Sequence, residues 1–451
     1  MPDHAISSDP AVQAQLDRLS WLSPGRDVLG LDRIERLLGR LGNPHRSLPP
    51  VFHIAGTNGK GSTAAFLRAA LEAAGHRVHA YTSPHLVNFN ERIRVAGKLI
   101  DDASLASLLA EVIDAGGDIA PSFFEATTAA AFLAFARTPA DAAVIEVGMG
   151  GRLDATNIIA RPLVTGIASL GIDHAEFLLT PEPGVPTEPL ARIAYEKAGI
   201  AKADVPLVTM SYPDPAAQAV ALQAARVGAP LLVQNRDWTL SPAADHHVFR
   251  DRHGAVFLPH PALVGAHQLD NAGLAAAMLR AQSAIEIGEA ALSAAMLNVR
   301  WPARLQRLGP GSLTARAPFG ELWLDGGHNA DAARRIAAHF ARDLGERGPI
   351  DLILGMMATK DVAAFLAAMA PVTRTLVAVP VPGHAHHAPE AITAMARDSG
   401  IRHFGQATDV PAALGIITGL ARKERPARGV AILGSLYLAG EVLRLNDEIP
   451  D

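Results

Sequence analysis

The residues Gly56-Thr57-Asn58-Gly59-Lys60-Gly61-Ser62 directly follow an apolar run, Val51 to Ala55, and precede a helical pattern carrying Phe66, Leu67 and Leu71. That is the setting of a phosphate loop. Glycines let backbone N–H groups close around a phosphate, the helix N-terminus adds partial positive charge, and Lys60 reaches the outer phosphates. The loop departs from the regular Walker A spacing, because Gly61 follows Lys60 and a hydroxyl arrives only at Ser62. A second set runs Glu146-Val147-Gly148-Met149-Gly150-Gly151-Arg152-Leu153-Asp154-Ala155-Thr156-Asn157. Glu146 ends the apolar run 142–145, and open α/β sheets bind ligands at the carboxyl ends of their strands. A carboxylate there, near a phosphate loop, suits Mg²⁺. Asp173-His174 follow the next strand. Histidine is an unusual magnesium ligand, and on its own His174 reads equally well as a loop residue.

These residues need a scaffold, and the chain supplies one. Apolar runs at 51–55, 142–145, 163–167 and 206–208 read as buried parallel strands. Helical stretches separate them; one, with Leu105, Leu108, Leu109, Val112 and Ile113 on one face, opens at Asp102 and closes near Gly116. The rhythm restarts after Trp301, with strands expected at 322–324, 352–354, 376–379 and 430–433. The expectation is an α/β protein: a P-loop-type, mostly parallel sheet domain over 1–297, then a smaller Rossmann-like α/β domain over 298–451. Residues 212–262 read differently, Pro-rich in part, with short strands near 231–233 and 256–258. Leu178 to Pro189, with four prolines, reads as a surface loop.

Composition narrows the function. The chain has 451 residues, 49% hydrophobic, with a formal net charge of −5. That is enough apolar material for real cores and is not a disordered composition. The acidic balance argues against bulk nucleic-acid binding. With no cysteine, disulfides, thiolate zinc sites, iron–sulfur clusters and cysteine nucleophiles are all excluded. The polar N-terminus is not a secretory signal, and no apolar stretch reaches transmembrane length. A cytoplasmic chain without membrane or nucleic-acid partners is expected, as a monomer.

Further motifs complete a pattern. Thr82-Ser83-Pro84-His85-Leu86 with Glu91-Arg92-Ile93 lies between the two sets above. Glu196-Lys197-Ala198-Gly199-Ile200, His267-Gln268 with Asn271, and Trp301-Pro302-Ala303-Arg304 follow. Leu324-Asp325-Gly326-Gly327-His328-Asn329 and Gly434-Ser435-Leu436-Tyr437 close the series. In this order, over about residues 28 to 442, they resemble the folylpolyglutamate synthase/dihydrofolate synthase family, the folate branch of the Mur ligase superfamily.

The resemblance implies an ATP-dependent amide ligase of the bacterial bifunctional type. The γ-phosphate goes to a substrate carboxylate, the amine of L-glutamate attacks the acyl phosphate, and phosphate leaves. The substrates implied are dihydropteroate, folates and L-glutamate, with ATP and two Mg²⁺. Carried over by motif, Gly59, Lys60, Gly61 and Ser62 match phosphate contacts. Asn271, Arg304, Asp325 and His328 match nucleotide contacts, the last three from a second domain that closes over ATP and binds glutamate. Ser83, Glu146 and His174 match metal ligands. Lys197 resembles the lysine carbamylated in this superfamily, which becomes a further metal ligand; Lys60, His174 and Lys197 would carry the catalysis. The ordinary alternative for Glu196-Lys197 is a surface pair on a helix. Leu29, Gly30, Leu31 and Asp32, with Pro84, His85, Phe124, Glu125, Asp154 and Ala155, match the pterin side of the site.

The chain also departs from the family pattern. Ala303 stands for a glycine before the nucleotide-binding arginine, Gly327 and Ala330 stand for an alanine and a proline, and the loop between His174 and Lys197 is longer than usual. The cluster His384-Ala385-His386-His387, flanked by Gly383 and Pro389, reads as a solvated loop rather than a metal site. Two other functions share some of these features. A cell-wall Mur ligase is disfavoured because the phosphate loop begins by residue 56, which leaves little room for a UDP-binding domain. A non-catalytic P-loop module is disfavoured by the separate metal set. Polyglutamylation without dihydrofolate synthesis stays open.

Overall fold

The computed structural model describes residues 6–22, 29–317, 320–342, 348–421 and 429–451. The chain divides into two compact units. The first holds Met1–Pro84, Asn88–Ala262 and Gln268–Arg300; the second holds His85–Val87, Leu263–His267 and Trp301–Asp451.

In the first unit eight strands form one sheet: β1 (Val51–Ala55), β2 (Val78–Tyr81), β3 (Ile93–Val95), β4 (Lys98–Leu99), β5 (Ala142–Glu146), β6 (Val164–Ile167), β7 (Leu207–Thr209) and β8 (Leu231–Val233). Their order is β4-β3-β2-β5-β1-β6-β7-β8. β1 lies between β5 and β6, parallel to both, and the antiparallel pairings are β2 with β3 and β3 with β4 at one edge. Every residue of β1 and β5 is buried, as strands covered on both faces require. Ile54 pairs with Glu146, so the first acid of the second motif lies beside the last turn before the phosphate loop.

Helices α1 (Pro10–Leu22), α2 (Asp32–Arg40), α3 (Lys60–Ala73), α4 (Asp102–Gly116) and α5 (Phe123–Arg137) follow the chain in that order. Leu16, Leu37, Val112 and Phe132, from α1, α2, α4 and α5, share one core. Burying one such side chain contributes about 1.5–3 kcal/mol. α5 is opened by a reciprocal cap: Glu125 N–H donates to Ser122 Oγ, and Ser122 N–H to Glu125 Oε2 at 2.6 Å. After α6 (Ala175–Leu178) and α7 (Pro189–Ala198), the stretch read from sequence as Pro-rich in part with short strands also holds a long helix, α8 (Asp214–Val227). Its prolines stand at the start, where the missing N–H costs nothing, and Gly228 ends it with φ 76°. A separate three-stranded antiparallel sheet follows: β9 (Thr239–Pro242), β10 (His247–Asp251) and β11 (Gly254–Leu258). Helices α9 (Ala266–Arg280) and α10 (Glu289–Asn298) come next.

The second unit is built on a six-stranded sheet. Its strands are β12 (Gln306–Arg307), β13 (Glu321–Leu324), β14 (Ile350–Leu354), β15 (Thr373–Ala378), β16 (His403–Gln406) and β17 (Gly429–Leu433), ordered β12-β13-β17-β14-β15-β16. All neighbours are parallel except β12 with β13. Residues 85–87 belong here, not with the strands around them. Leu86 and Val87 pack against this unit's core, and a Cβ on Gly440 would stand 1.8 Å from the Leu86 carbonyl oxygen. No described helix is long and apolar enough to cross a membrane.

Candidate active site

The loop between β1 and α3 is held by contacts that leave no room for side chains. A Cβ on Gly59, whose φ is 86°, would stand 2.3 Å from Asn271 Oδ1. Asn271 is buried and donates to Gln268 Oε1 at 3.0 Å, so α9 fixes the amide that faces the loop. Thr57 ties the loop to the segment after β6: its N–H donates to the Ser169 carbonyl at 2.8 Å and its hydroxyl to the Gly171 carbonyl at 2.8 Å. Gly61 and Ser62 are buried in the first turn of α3, where the helix presents its positive end.

Two lysines meet at one oxygen. Lys60 Nζ donates to the Gly56 carbonyl at 3.2 Å, and Lys197 Nζ to the same carbonyl at 2.9 Å. Lys197 is buried. Burial, with the neighbouring Lys60 charge, pushes its amine down to about 7. The surface ion pair open from sequence is therefore absent. Glu196, one residue earlier and turned about 100° around the helix, is buried against Arg152 and Arg192 instead.

Glu146 lies 3.8 Å from Lys60 Nζ and accepts from the Ser83 N–H at 3.4 Å. His174 stands apart from this group in character. It is exposed, has left-handed backbone (φ 52°) and starts the one-turn α6. Among the described residues no three His, Asp or Glu side chains are grouped to hold a metal. The Glu146 carboxylate and the Ser83 hydroxyl are oxygen donors of the kind a hard divalent cation takes.

Of the residues expected on the pterin side, Leu29 to Asp32 and Phe124-Glu125 lie at the starts of α2 and α5. Leu29, Gly30 and Leu31 are half-buried, and Asp32 is the exposed first residue of α2. Arg33 donates to Glu125 Oε2 at 2.9 Å, linking α2 to α5. Phe124 lies over Gly148 so closely that a Cβ there would stand 2.4 Å from the ring. Pro84 is exposed, whereas His85 is buried with the second unit. Ala155 is part of the core. Asp154 builds its own loop: one carboxylate oxygen accepts from Thr156 N–H and Oγ1, the other from Met149 N–H at 2.9 Å. Burial raises its carboxyl, opposed first by the Thr156 hydroxyl. Thr156 Oγ1 in turn lies 2.8 Å from His53 Nε2 on β1.

In the second unit Asp325 is also spent on backbone. Its oxygens accept from Leu305 N–H at 2.7 Å and Gly327 N–H at 2.6 Å. This pins both flanks of the turns that carry Arg304 and His328. Burial raises the Asp325 carboxyl, against the pull of Arg304. His328 Nδ1 lies 3.0 Å from the Gly326 carbonyl. Asn329 caps the following helix, and Ala330 takes its first position, the place a proline would favour. The histidine cluster is more anchored than a solvated loop. His384 stacks on Tyr437 at 3.8 Å, His386 Nδ1 lies 2.7 Å from the His384 carbonyl, and His387 Nε2 lies 2.9 Å from the Lys360 carbonyl. Each ring has a different neighbour, which is why they form no common ligand set.

Fold and site define a phosphate-loop α/β protein with a second, buried lysine at the loop. The family model described as "Dihydrofolate synthetase, C-terminal domain" matches residues 315–445. The dihydrofolate synthase/folylpolyglutamate synthase of Escherichia coli is 30% identical over 442 residues, covering 96% of this chain and 97% of that protein. The solved structure of E. coli FolC with DHPP and ADP superposes with a TM-score of 0.84 at 30% identity, covering 97% of each chain. A bifunctional folylpolyglutamate synthase/dihydrofolate synthase solved with Mn, AMPPNP and L-glutamate gives 0.80 at 29% identity, covering 98% of this chain and 99% of that one. The chain belongs to the dihydrofolate synthase/folylpolyglutamate synthase family.

Sequence reading missed three sets of residues at this site. Thr57, Ser169 and Gly171 clip the phosphate loop; His53 and Thr156 support Asp154; Arg152, Arg192 and Glu182 surround Glu196. Arg152 and Thr156 lie inside a motif that pointed to the region, but nothing in the spacing of Glu182 or His53 shows what they touch.

Proposed function

We propose that the chain is an ATP-dependent ligase that adds L-glutamate to dihydropteroate and to the glutamate tail of tetrahydrofolates through an acyl phosphate. The observation that carries this reading is the meeting of Lys60 and Lys197 on the Gly56 carbonyl, with Glu146 beside Lys60. Joining a nucleotide to a substrate carboxylate brings two anions together, and little covalent work falls to the protein. Charge neutralisation and placement dominate. Lys60 draws charge from the phosphates. The loop N–H groups and the start of α3 hold them in register.

A divalent cation, when bound, neutralises phosphate charge; Glu146, the Ser83 hydroxyl and His174 are the residues proposed to hold it. Lys197 is proposed to react as the neutral amine with CO₂, losing a proton and forming a carbamate that holds a second cation. Its burial supports this, since only an uncharged amine adds CO₂. Leu29 to Asp32, Pro84, His85, Phe124, Glu125, Asp154 and Ala155 are proposed for the pterin side. Asn271, Arg304, Asp325 and His328 are proposed for the nucleotide, with Asp325 acting through the turns it holds. We take the enzyme to work as a monomer in the cytoplasm. Phosphate release measured with ATP and Mg²⁺ tests the reading. It is expected to require both L-glutamate and either dihydropteroate or tetrahydrofolate. Release that ignores either substrate overturns it.

A further inference from the structure

Arg152, Glu182, Arg192 and Glu196 form a closed set of four charges around one helix end. The Arg152 guanidinium is gripped on both edges. Nε and Nη2 donate to the two oxygens of Glu196 at 3.1 and 3.0 Å, and Nη1 and Nη2 donate to those of Glu182 at 3.2 and 2.5 Å. Arg192 Nη2 lies 3.0 Å from both Glu182 Oε2 and Glu196 Oε1, and its Nε donates to the Leu178 carbonyl at 3.1 Å. The Tyr195 ring lies 5.4 Å from the Arg152 guanidinium carbon and 5.8 Å from that of Arg192. Bidentate pairs of this kind fix direction as well as contributing energy. Three of the four residues belong to α7 or to the loop after β5. The fourth, Glu182, comes from the Pro-rich loop 178–189.

The backbone carries the same link. Arg152 N–H donates to the Glu196 carbonyl at 2.7 Å, and Asn157 Nδ2 donates to the carbonyls of Arg152 and Gly199 at 3.0 and 3.1 Å. A Cβ on Gly151 would stand 2.9 Å from the carbonyl oxygens of both Glu196 and Lys197, and one on Gly199 would stand 2.4 Å from Arg152 Cβ. The last turn of α7 is thus fixed on the side of Glu196, and the next residue, Lys197, turned about 100° around the helix, reaches the Gly56 carbonyl. We infer that this charge quartet, closed by Glu182, is a latch that places the Lys197 amine at the phosphate loop. Glu182 is a positioning residue, acting through Arg152 and Arg192. The inference rests on the functional reading of Lys197 given above.

Glu182→Gln is the test. The side chain is 40% exposed, so the variant folds; it removes one anion and leaves two arginines facing Glu196 alone. Residues that orient a ligand from behind typically matter by about 10–100-fold. The expected result is a kcat lower by about tenfold with KM for ATP and L-glutamate little changed, partly restored in Glu182→Asp. Amide exchange over 189–200 should quicken, and a crystal structure of the variant should show Lys197 Nζ withdrawn from the Gly56 carbonyl. A lowered melting temperature with unchanged kcat would reveal a stabilising pair only and overturn the latch. So would unchanged exchange and an unmoved Lys197. Lys197→Ala assayed alongside keeps the two claims apart: full activity there overturns the role of Lys197, while exchange and the crystal distance still judge the latch.

Discussion

The Gly56 loop of the first unit and the Asp325 turn of the second both lie at the carboxyl ends of parallel strands, yet they spend charge in opposite ways. Around Gly56 the loop is shaped by what is missing: glycines at 56, 59 and 61, and an asparagine amide where a Cβ would be. The charged atoms, Lys60 and Lys197, are left at the loop with a single carbonyl between them. Around Asp325 the carboxylate itself shapes the backbone, by accepting two N–H groups. One region leaves its charged side chains on a single backbone carbonyl; the other spends its carboxylate on holding neighbours in place. Removing charge from the first should change rate with little loss of stability. Removing it from the second should do the reverse first.

Lys60→Ala is the widest test. Lys60 donates to a carbonyl oxygen of its own loop and lies near Glu146, so the fold should survive with a melting temperature close to that of the parent. Turnover should fall by about 10²–10³-fold or more, the usual cost of deleting one preorganised charge at a reacting centre. Lys197→Arg should be as poor, because a guanidinium cannot form a carbamate. Steady-state phosphate release and thermal melts check both. Near-normal turnover in Lys60→Ala would erase the contrast between the two regions.

Asp325→Asn inverts the expectation. The amide keeps one acceptor and aims an NH₂ group at a backbone N–H, leaving a buried donor unmet. An unmet buried donor costs about 1–3 kcal/mol. Denaturant unfolding should show that loss, and KM for ATP should rise through Arg304 more than kcat falls. An unchanged midpoint would mean that Asp325 is held for ligand, like Lys60, and not for backbone.

The two regions also differ in how far sequence exposes them. The Gly56 loop was legible because glycines, a lysine and a hydroxyl at fixed spacing after an apolar run have few other uses. The parallel strands were legible for the same reason, since burial on both faces leaves an unbroken apolar run. Long-range partners were not. That Lys197 meets Gly56, 141 residues away, follows from α7 returning past β6, which no local pattern records. The motif that matched Asp325 to the nucleotide says nothing about its hold on Leu305. The prolines before α8 looked like loop chemistry because a helix start and a turn share proline. Residues 85–87 sit inside one unit's sequence and pack in the other's core, an arrangement carried by the three apolar or half-apolar residues and the small Gly440 opposite.

Acid sharpens the comparison further, through one histidine in each unit, His53 buried and His267 half-buried. Burial, helped by Lys202, pushes His53 down to about 3; burial with Arg335 and Arg304 pushes His267 down to about 4. Both are lowered from about 6.5, so between those limits the unfolded chain holds a proton that the folded chain does not. Each therefore contributes nothing above about 6.5 and costs stability as pH falls below it. His53 Nδ1 is buried without a hydrogen-bond partner, so His53→Gln should flatten the acid slope of unfolding free energy. Added salt screens charges between arginine and histidine more than it changes burial. The acid slope removed by His267→Gln, where two arginines act, should therefore shrink more in high salt than that removed by His53→Gln, where Lys202 alone adds to burial. Denaturant titrations at pH 4 to 7, with and without salt, measure both. Equal salt sensitivity would mean that one cause governs both sites.

The smallest effect is expected at Ala303, where the chain keeps a side chain on left-handed backbone. Ala303 has φ 55° and Leu305 φ 42°, so Arg304 is carried between two left-handed residues. The left-handed conformation costs an L-residue about 1–2 kcal/mol. Ala303→Gly removes that strain at one of the two. It also frees the unfolded chain, which costs about 0.4–1 kcal/mol, and deletes a fully buried methyl, worth about 0.8 kcal/mol. The terms nearly cancel, and unfolding free energy should move by less than about 1 kcal/mol. Ala303→Val has no such cancellation, since a β-branched residue fits the left-handed region worse and overfills a buried site; it should be clearly destabilised. The turn is held from both sides, by Leu305 N–H on Asp325 and by Gly326 N–H on the Ala303 carbonyl at 3.1 Å. A neutral glycine variant beside a damaging Asp325→Asn would place the strength of this turn in the carboxylate. A glycine variant stabilised by several kcal/mol would place it in the backbone instead, and the second unit would then hold its shape as the first does, by glycine.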